Sequence, residues 1–150
     1  IYALLDHPDF DQYDLSSIET IFYGASLMSP ARLKEAIERI GPVFFQFYGQ
    51  AEAPMTVMVM RRSEHHADNP QRMASCGRPV PWVDVGLLAD DCQPAAAGES
   101  GEICVRGALV MDGYPNREEQ NRDALAGGCL HTGGVAGQDA DGVSRIVVPY

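Results

Sequence analysis

The sequence has little positive charge, and it contains no long apolar run. Its 150 residues include 11 lysines and arginines against 21 aspartates and glutamates, for a formal net charge of −10 and a pI of about 4.6. Nucleic-acid phosphates and anionic membranes both attract a basic face, so neither is an expected partner. No apolar stretch reaches the roughly 18 residues of a membrane span. The opening "IYALLDHPDFDQ" lacks the basic flank of a signal peptide.

Cysteine motifs and nucleophile motifs are also missing. The four cysteines, at positions 76, 92, 104 and 129, form no C-x-x-C pair, and no G-x-S-x-G occurs. This spacing does not favour a zinc or redox motif, so we expect free thiols in a reducing cytoplasm. The chain opens on Ile1 and stops in "IVVPY". Both ends therefore predict an internal segment of a longer protein.

Two acidic stretches look like metal sites but lack the required spacing. "EHHAD" at 64–68 has no helical histidine pair, so a solvated loop is predicted. Asp139 and Asp141 resemble the start of a calcium loop, but Gly142 comes too early and no glutamate closes the loop. We therefore interpret these aspartates as residues of a hairpin turn.

The first half of the chain alternates strand and helix patterns. Short apolar runs predict strands at 20–23, 43–49 and 55–60. Between the first two, Ser29-Pro30 predicts the start of a helix that Ser29 caps, and Gly41-Pro42 predicts its end. This order favours an α/β layer with parallel pairing. The methionines of the third strand are expected to fill the core.

A β-rich pattern follows a polar connection at 61–73. The expected elements are strands at 83–89, 102–107 and 143–148, the first two as a hairpin-like pair, and a polar helix at 117–126 capped by Asn116. We therefore predict an α/β subdomain over residues 1–73 and a β-rich, barrel-like subdomain over residues 74–150.

Two short motifs end the first two buried strands: "YGAS" at 23–26 and "YGQAE" at 48–52. Open α/β sheets bind ligands at the carboxyl ends of their strands. An aromatic ring, a glycine and an acid in that place can flank a flat ring, admit a ligand close to the backbone and hold a metal ion. The residues alone leave open the alternative of ordinary loops, in which the tyrosines pack and Glu52 is solvated.

Two motifs of the second half have polar side chains with open roles. In "GEICVRG" at 101–107, alternation predicts that Glu102 and Arg106 share a strand face, where they could form an ion pair or contact a ligand. "LHTGG" at 130–134 is predicted to be a polar turn. His131 and Thr132 are its candidate hydrogen-bonding residues.

Together, these motifs resemble the adenylate-forming superfamily of acyl-CoA synthetases, aryl-CoA ligases, luciferases and peptide-synthetase adenylation domains. The resemblance is carried by "YGQAEAP", "SCGRPVPWVDVGLL", "GESGEICVRG", "VMDGYPNREEQ" and "LHTGG", in this order and at these spacings. It covers essentially the whole chain and is closest to the acyl- or aryl-CoA ligase branch. It implies a fragment of the large N-terminal domain, with an α/β half followed by a β-rich half.

The resemblance also implies a reaction and a site. A carboxylic acid reacts with ATP and Mg²⁺ to give an acyl-adenylate, and coenzyme A then displaces AMP. Glu52 is the implied magnesium-binding acid and catalytic residue, and Tyr48 is the implied ring against adenine. The residues implied to contact the nucleotide or the acyl pocket are Gly24, Ala25, Ser26, Tyr48, Gly49, Gln50, Ala51 and Gly134.

Three positions depart from the family pattern. Gly134 stands where an aspartate accepts both ribose hydroxyls, a loss of about 3–6 kcal/mol at most, or about two to four decades of nucleotide affinity. Ala51 stands where a threonine often reaches the α-phosphate, a loss of about 0.5–1.5 kcal/mol. Pro149 and its neighbours occupy the ground of an expected arginine.

The resemblance further predicts what lies outside these residues. A phosphate loop should precede the chain and a lysine-bearing C-terminal domain should follow it, so we expect the isolated chain to be inactive. The expected partners are a small carboxylic acid, ATP, coenzyme A and the remainder of the parent protein. Tyr23, Ser26, Gln46 and Gln50 could shape the acid pocket, but the acid stays open. The alternative is a degenerate, non-catalytic relative that acts as a weak nucleotide-binding or interaction module.

Overall fold

The described part of the chain folds into two four-stranded sheets and four short α-helices. The computed structural model describes residues 1–26, 28–89, 93–96, 98–139 and 141–147. The helices are Tyr2–Leu5 (α1), Pro30–Ile40 (α2), Pro70–Met73 (α3) and Glu118–Ala124 (α4). The strands are Ile21–Gly24 (β1), Phe44–Gln50 (β2), Ala53–Met60 (β3), Arg78–Pro79 (β4), Asp84–Leu88 (β5), Ser100–Arg106 (β6), Leu130–Gln138 (β7) and Ser144–Val147 (β8).

The first sheet has the order β1-β2-β3-β4. The predicted parallel pairing is confirmed for β1 and β2, which α2 connects. In contrast, β3 runs antiparallel to β2, because the chain reverses through a two-residue turn at Ala51 and Glu52. The tip of this hairpin therefore projects Glu52 beyond the sheet.

Helix α2 begins and ends where the sequence predicts. Pro30 occupies the first turn, and Gly41 ends the helix with a φ of +116°, a conformation that suits glycine. Leu33 and Ala36 are fully buried on the face that packs on the sheet. The predicted capping role of Ser29 is wrong: its side chain makes no cap hydrogen bond, and its backbone N–H instead donates to the Tyr2 hydroxyl.

The second sheet is antiparallel throughout, with the order β5-β6-β7-β8, and the predicted β5–β6 hairpin is confirmed. Strand β7 begins at Leu130, so the "LHTGG" stretch lies inside a strand, and the predicted turn is wrong. Helix α4 is shorter than predicted. Its N-cap residue is Arg117, because Asn116 adopts a left-handed backbone with φ of +58°.

The two sheets share one hydrophobic core. Val57 and Met58 of β3 pack in the same buried cluster as Ile103, Val105 and Leu130 of the second sheet. Backbone hydrogen bonds from Cys76 to Ser144 and from Ser144 to Gly77 also join the halves. The α/β half followed by a β-rich half is therefore observed, whereas the subdomain division at residue 73 stays a prediction.

The methionines of β3 have different environments. Met58 and Met60 are fully buried, which confirms their predicted core role. Met55 is 61% exposed, so its predicted core role is wrong. It sits where the β2–β3 register shifts, with φ of +51°. None of the described helices is long and apolar enough to cross a membrane.

Candidate functional site

A cleft of about 450 Å³ opens where β1 and β2 end, beside the β2–β3 hairpin. Its volume falls in the range of small-molecule sites, ~300–1,000 Å³, and its walls are mostly apolar. The lining residues are Phe22, Tyr23, Gly24, Ala25, Phe47, Gly49, Gln50, Ala51, Pro54 and Met55. The cleft thus brings together the implied site residues Gly24, Ala25, Gly49, Gln50 and Ala51.

Two glycines of the cleft are required by close backbone packing. A Cβ atom at Gly24 would overlap the Phe47 carbonyl oxygen of the neighbouring strand. A Cβ atom at Gly49 would lie 2.5 Å from the Met55 backbone nitrogen. These glycines are therefore explained by the sheet itself, and they leave the cleft wall low enough for a ligand to approach the backbone.

Strained backbone also borders this cleft. Ala25 and Met55 both adopt left-handed conformations, with φ of +62° and +51°. Non-glycine residues in this region are uncommon, and such strain clusters at ligand sites. Ser26, the third residue assigned from "YGAS", is exposed but does not line the cleft.

Tyr48 connects the first sheet to the second. Its hydroxyl lies 3.4 Å from the position that a Cβ atom would occupy at Gly134. The Tyr48 side chain is half-buried, and burial is the main cause that raises the pKa of its phenol; the nearby Thr132 hydroxyl partly offsets that rise. Tyr48, the ring implied to lie against adenine, and Gly134, the position implied to face ribose, therefore lie side by side, although they come from different halves of the chain.

Hydrogen bonds within the second sheet fix the backbone around Gly134. The Thr132 hydroxyl donates to the Ile103 carbonyl at 2.9 Å and accepts from the Gly134 N–H at 3.1 Å. The Gly133 N–H donates to Glu102 Oε1 at 2.8 Å. Glu102 also contacts His131 Nδ1 at 2.9 Å, so it supports this stretch. No ion pair between Glu102 and Arg106 forms in the described structure, where Arg106 donates to the Gly127 carbonyl.

Glu52 is held at the hairpin tip by contacts from the second half. The Tyr114 hydroxyl donates to Glu52 Oε1 at 2.5 Å, and the Met111 N–H donates to the Glu52 carbonyl at 2.8 Å. The hydrogen bond to Glu52 is the main cause that raises the pKa of the Tyr114 phenol, because ionisation would remove the donated proton; desolvation and the charge of Glu52 act in the same direction. Sequence reasoning assigned no role to Tyr114, although it lies within the recognised "VMDGYPNREEQ" motif.

The surroundings of Glu52 fit a magnesium ligand. Mg²⁺ is commonly bound through one or two protein carboxylates plus substrate phosphates and water. Within the described residues, Glu52 has no basic partner to neutralise its carboxylate. Its side chain is only partly buried, and Tyr114 contacts Oε1. The carboxylate is therefore oriented by Tyr114 and remains partly accessible.

The other polar candidates have structural roles. In the 64–68 stretch, Glu64 forms ion pairs with Arg72 and Arg78 and is only 17% exposed, so the predicted solvated loop is wrong at this residue. These arginines lie on α3 and β4, so the ion pairs join the 64–68 stretch to both elements. Asp139 Oδ1 accepts from the backbone N–H groups of Asp141 and Val143, as expected for a hairpin turn.

The prediction of free thiols fails for two of the four cysteines. Cys104 and Cys129 are joined in a disulfide, so the expectation of free thiols is wrong for this pair, whereas Cys76 is a buried free thiol. The cysteines are distant in sequence, and pairing of β6 with β7 brings them together. Cys92 and the Val148-Pro149-Tyr150 end lie outside the described residues.

Comparison with known proteins places this geometry in a family. The model of the AMP-binding enzyme family matches residues 1–115. The chain is 48% identical over 147 residues to the medium/long-chain-fatty-acid–CoA ligase FadD8 of Mycobacterium tuberculosis, covering 98% of this chain and 25% of that protein. It is 37% identical over 145 residues to feruloyl-CoA synthase of Amycolatopsis sp, covering 97% and 28%. The chain belongs to the AMP-binding enzyme family.

Solved structures agree with this assignment. The amide bond synthetase McbA of Marinactinospora thermotolerans superposes with a TM-score of 0.88 at 34% identity, over 97% of this chain and 29% of that chain. The anthranilate CoA ligase AuaEII, in complex with anthranoyl-AMP, gives 0.84 at 26% identity, over 96% and 27%. The fold is thus that of adenylate-forming enzymes, and these relatives give no support to a non-catalytic module. The chain spans about a quarter of the length of the curated relatives it matches.

Proposed function

We propose that the chain is part of an ATP-dependent carboxylic acid–CoA ligase. A carboxylate oxygen of the acid attacks the α-phosphorus of ATP, and the bond to the bridging oxygen breaks as pyrophosphate leaves. The thiol sulfur of coenzyme A then attacks the acyl carbonyl carbon and loses its proton. The carbon–oxygen bond to AMP breaks, and AMP departs with the bonding electrons.

The observation that carries this proposal is the contact of Tyr48 with the Thr132–Gly134 stretch. Two motifs that the family uses for the nucleotide meet there, although they lie on different sheets. The Tyr48 ring offers a flat apolar surface, and its hydroxyl lies beside the position that a Cβ atom would occupy at Gly134. A purine that stacks on this ring would direct its ribose toward Gly134.

The remaining site residues position the reacting groups. Glu52, oriented by Tyr114, would hold Mg²⁺ at the hairpin tip, and the bound ion would neutralise phosphate charge. The apolar cleft lined by Ala25, Gly49 and Met55 would exclude water from the reacting carboxylate. Holding both reactants in one geometry supplies much of the rate acceleration in such reactions.

A fatty acid is the substrate class that we propose. The relative with 48% identity is named for medium- and long-chain fatty acids, whereas the relative with 37% identity is named for feruloyl-CoA. The apolar cleft wall agrees with an alkyl chain, since burial of each methylene contributes about 0.8 kcal/mol.

The test is acid-dependent ATP–pyrophosphate exchange by the complete protein that contains this chain. Medium-chain acids, long-chain acids and ferulate are compared, and we expect exchange with the fatty acids to exceed exchange with ferulate. Glu52→Gln should lower exchange by about 10²–10³-fold, as expected for loss of a charge-stabilising group. Glu38→Gln, an exposed position on α2, is the matched control and should leave exchange unchanged.

Two outcomes would contradict the proposal. Absence of exchange with every acid tested would exclude adenylation. Full exchange by Glu52→Gln would exclude the assigned role of that carboxylate. The isolated 150 residues are expected to be inactive, because the family's phosphate loop and lysine-bearing domain are not among them.

A further inference from the structure

Cys104, Cys129 and His131 form a cluster of metal-ligating side chains on the second sheet. Cys104 of β6 is paired with His131 of β7, and Cys129 immediately precedes β7. One ligand atom from each residue lies within 4.8 Å of the other two, and the Cα atoms of the cysteines are 5.9 Å apart. The two sulfurs are buried, whereas the His131 ring is partly exposed.

One distance in this cluster is close to that of a tetrahedral zinc centre. Zn–S bonds of about 2.3 Å and Zn–N bonds of about 2.0–2.1 Å place a sulfur and a nitrogen ligand roughly 3.5 Å apart, and two sulfur ligands roughly 3.8 Å apart. Cys129 Sγ and His131 Nε2 are 4.0 Å apart, so this pair needs an adjustment of about half an ångström. The two sulfurs are bonded to each other, so after reduction of the disulfide they must separate to roughly 3.8 Å before both can ligate.

His131 is oriented as a metal-bound histidine usually is. Its Nδ1 lies 2.9 Å from Glu102 Oε2, so this nitrogen carries the proton and donates it to the carboxylate. The lone pair of Nε2 then faces the sulfurs. A carboxylate on the distal nitrogen fixes the ring and raises its basicity, which is the arrangement found behind many zinc ligands.

We propose that the reduced chain binds a thiophilic divalent cation of the Zn²⁺ type through Cys104, Cys129 and His131. A thiol or phosphine reductant supplies two electrons, the S–S bond breaks, and each sulfur takes up a proton. Binding of the cation then releases both thiol protons, and neutral His131 contributes its Nε2 lone pair. The exposed side of His131 leaves the fourth position to water or a small ligand.

The proposed ion would lie beside the nucleotide-binding stretch of the family. Glu102 accepts hydrogen bonds from both His131 and the Gly133 N–H, so one carboxylate supports the metal ligand and the backbone next to Gly134. The cluster does not overlap the cleft residues or Glu52. Chelator competition measures metal binding and pyrophosphate exchange measures ligase activity, so the two proposals are tested separately.

The test is a Zn²⁺ titration of the phosphine-reduced protein against a chromophoric chelator, without oxygen. All samples carry Cys92→Ser, because position 92 lies outside the described residues. We expect one tightly bound ion per chain, and a thiolate-to-cobalt charge-transfer band when Co²⁺ replaces Zn²⁺. Cys104→Ser and Cys129→Ser should each abolish tight binding, and Glu102→Gln should weaken it by about 10–100-fold.

The controls separate ligation from general damage. Cys76→Ala and His7→Gln remove a thiol and an imidazole away from the cluster and should retain the bound ion. If a cysteine variant does not fold, the Zn²⁺ affinities of His131→Gln and Glu102→Gln provide the test. Zn²⁺ affinity unchanged in these variants would overturn the proposal. So would a disulfide that the reductant does not open in the folded protein.

Discussion

The Tyr48 hydroxyl lies 3.4 Å from the position that a Cβ atom would occupy at Gly134, and the Thr132 hydroxyl lies at the same distance. Both are ordinary van der Waals separations, and Gly134 does not adopt the left-handed backbone that Gly133 does. A Cβ atom at 134 is therefore compatible with this backbone. We propose that the absence of a carboxylate at this position is a local loss that a substitution can restore.

We expect Gly134→Asp to tighten ATP binding by about two to four decades at most, because two charge-assisted hydrogen bonds to ribose contribute about 1.5–3 kcal/mol each. Isothermal titration calorimetry with the complete protein measures this directly. Gly134→Asn is the control, because it matches the size of aspartate but lacks its charge, and its gain should be smaller. Equal affinity in all three proteins would mean that residue 134 does not contact ribose.

Ala51 gives a second restoration experiment. It is exposed at the tip of the β2–β3 hairpin, where it lines the cleft. Ala51→Thr should raise the adenylation rate by about two- to tenfold, since one recovered hydrogen bond contributes about 0.5–1.5 kcal/mol. Pyrophosphate exchange measures the rate.

Valine provides the matched control at position 51, because it has the shape of threonine without the hydroxyl. We expect Ala51→Val to leave the rate at its starting value. A similar rise in both variants would attribute the effect to hairpin stiffening and would contradict a contact with the α-phosphate.

Removal of the Tyr114 hydroxyl tests how Glu52 is oriented. In Tyr114→Phe, the carboxylate loses its hydrogen bond and can rotate, so the Mg²⁺ concentration for half-maximal exchange should rise by about 10–100-fold. The rate at saturating Mg²⁺ should change much less. A fall in that rate without a change in the Mg²⁺ requirement would assign Tyr114 a role other than orienting the metal ligand.

Local patterns in the sequence were sufficient to predict most elements. Helix α2 and the β5–β6 hairpin were predicted because proline, glycine and apolar alternation mark them directly. The antiparallel return of β3 was missed. "QAEA" reads as a loop, and the two-residue turn depends on the register between the strands.

The contacts of the candidate site are long-range, so fewer of them are predictable from the sequence. The motifs placed Tyr48, Glu52 and residue 134 on the list of candidates, but only sheet pairing shows that Tyr48 touches the 132–134 stretch. The Tyr114–Glu52 bond and the Cys104–Cys129 bond likewise join distant residues. No spacing rule connects such pairs, because the intervening fold decides which side chains meet.

The burial of His65 predicts that the protein loses stability in acid. Burial lowers the pKa of its imidazole, the main cause, and exposed His66 acts in the same direction; Arg61, Arg62 and Glu64 oppose the shift. The neutral ring bridges two groups: Nδ1 donates to the Arg61 carbonyl at 2.8 Å, and Nε2 lies 3.0 Å from the Tyr23 hydroxyl, which also donates to Gln46 Oε1 at 3.2 Å. Protonation of Nε2 would place a charge in a half-buried site, where desolvation opposes it.

The sign follows from proton binding in the two states. The unfolded chain titrates near 6.5 and the folded chain at a lower pH, so the unfolded state binds more protons in that interval. The stabilisation is complete above about pH 6.5 and is lost as the pH falls through the lowered pKa, with a slope of at most about 1.4 kcal/mol per pH unit.

Denaturant unfolding between pH 7.5 and about pH 5 measures this change in stability. His65→Gln should flatten this pH dependence of stability. His66→Gln, at the exposed neighbouring position, is the control and should retain the dependence. Equal slopes in the two variants would show that the bridge from Tyr23 to Arg61 does not depend on a neutral His65.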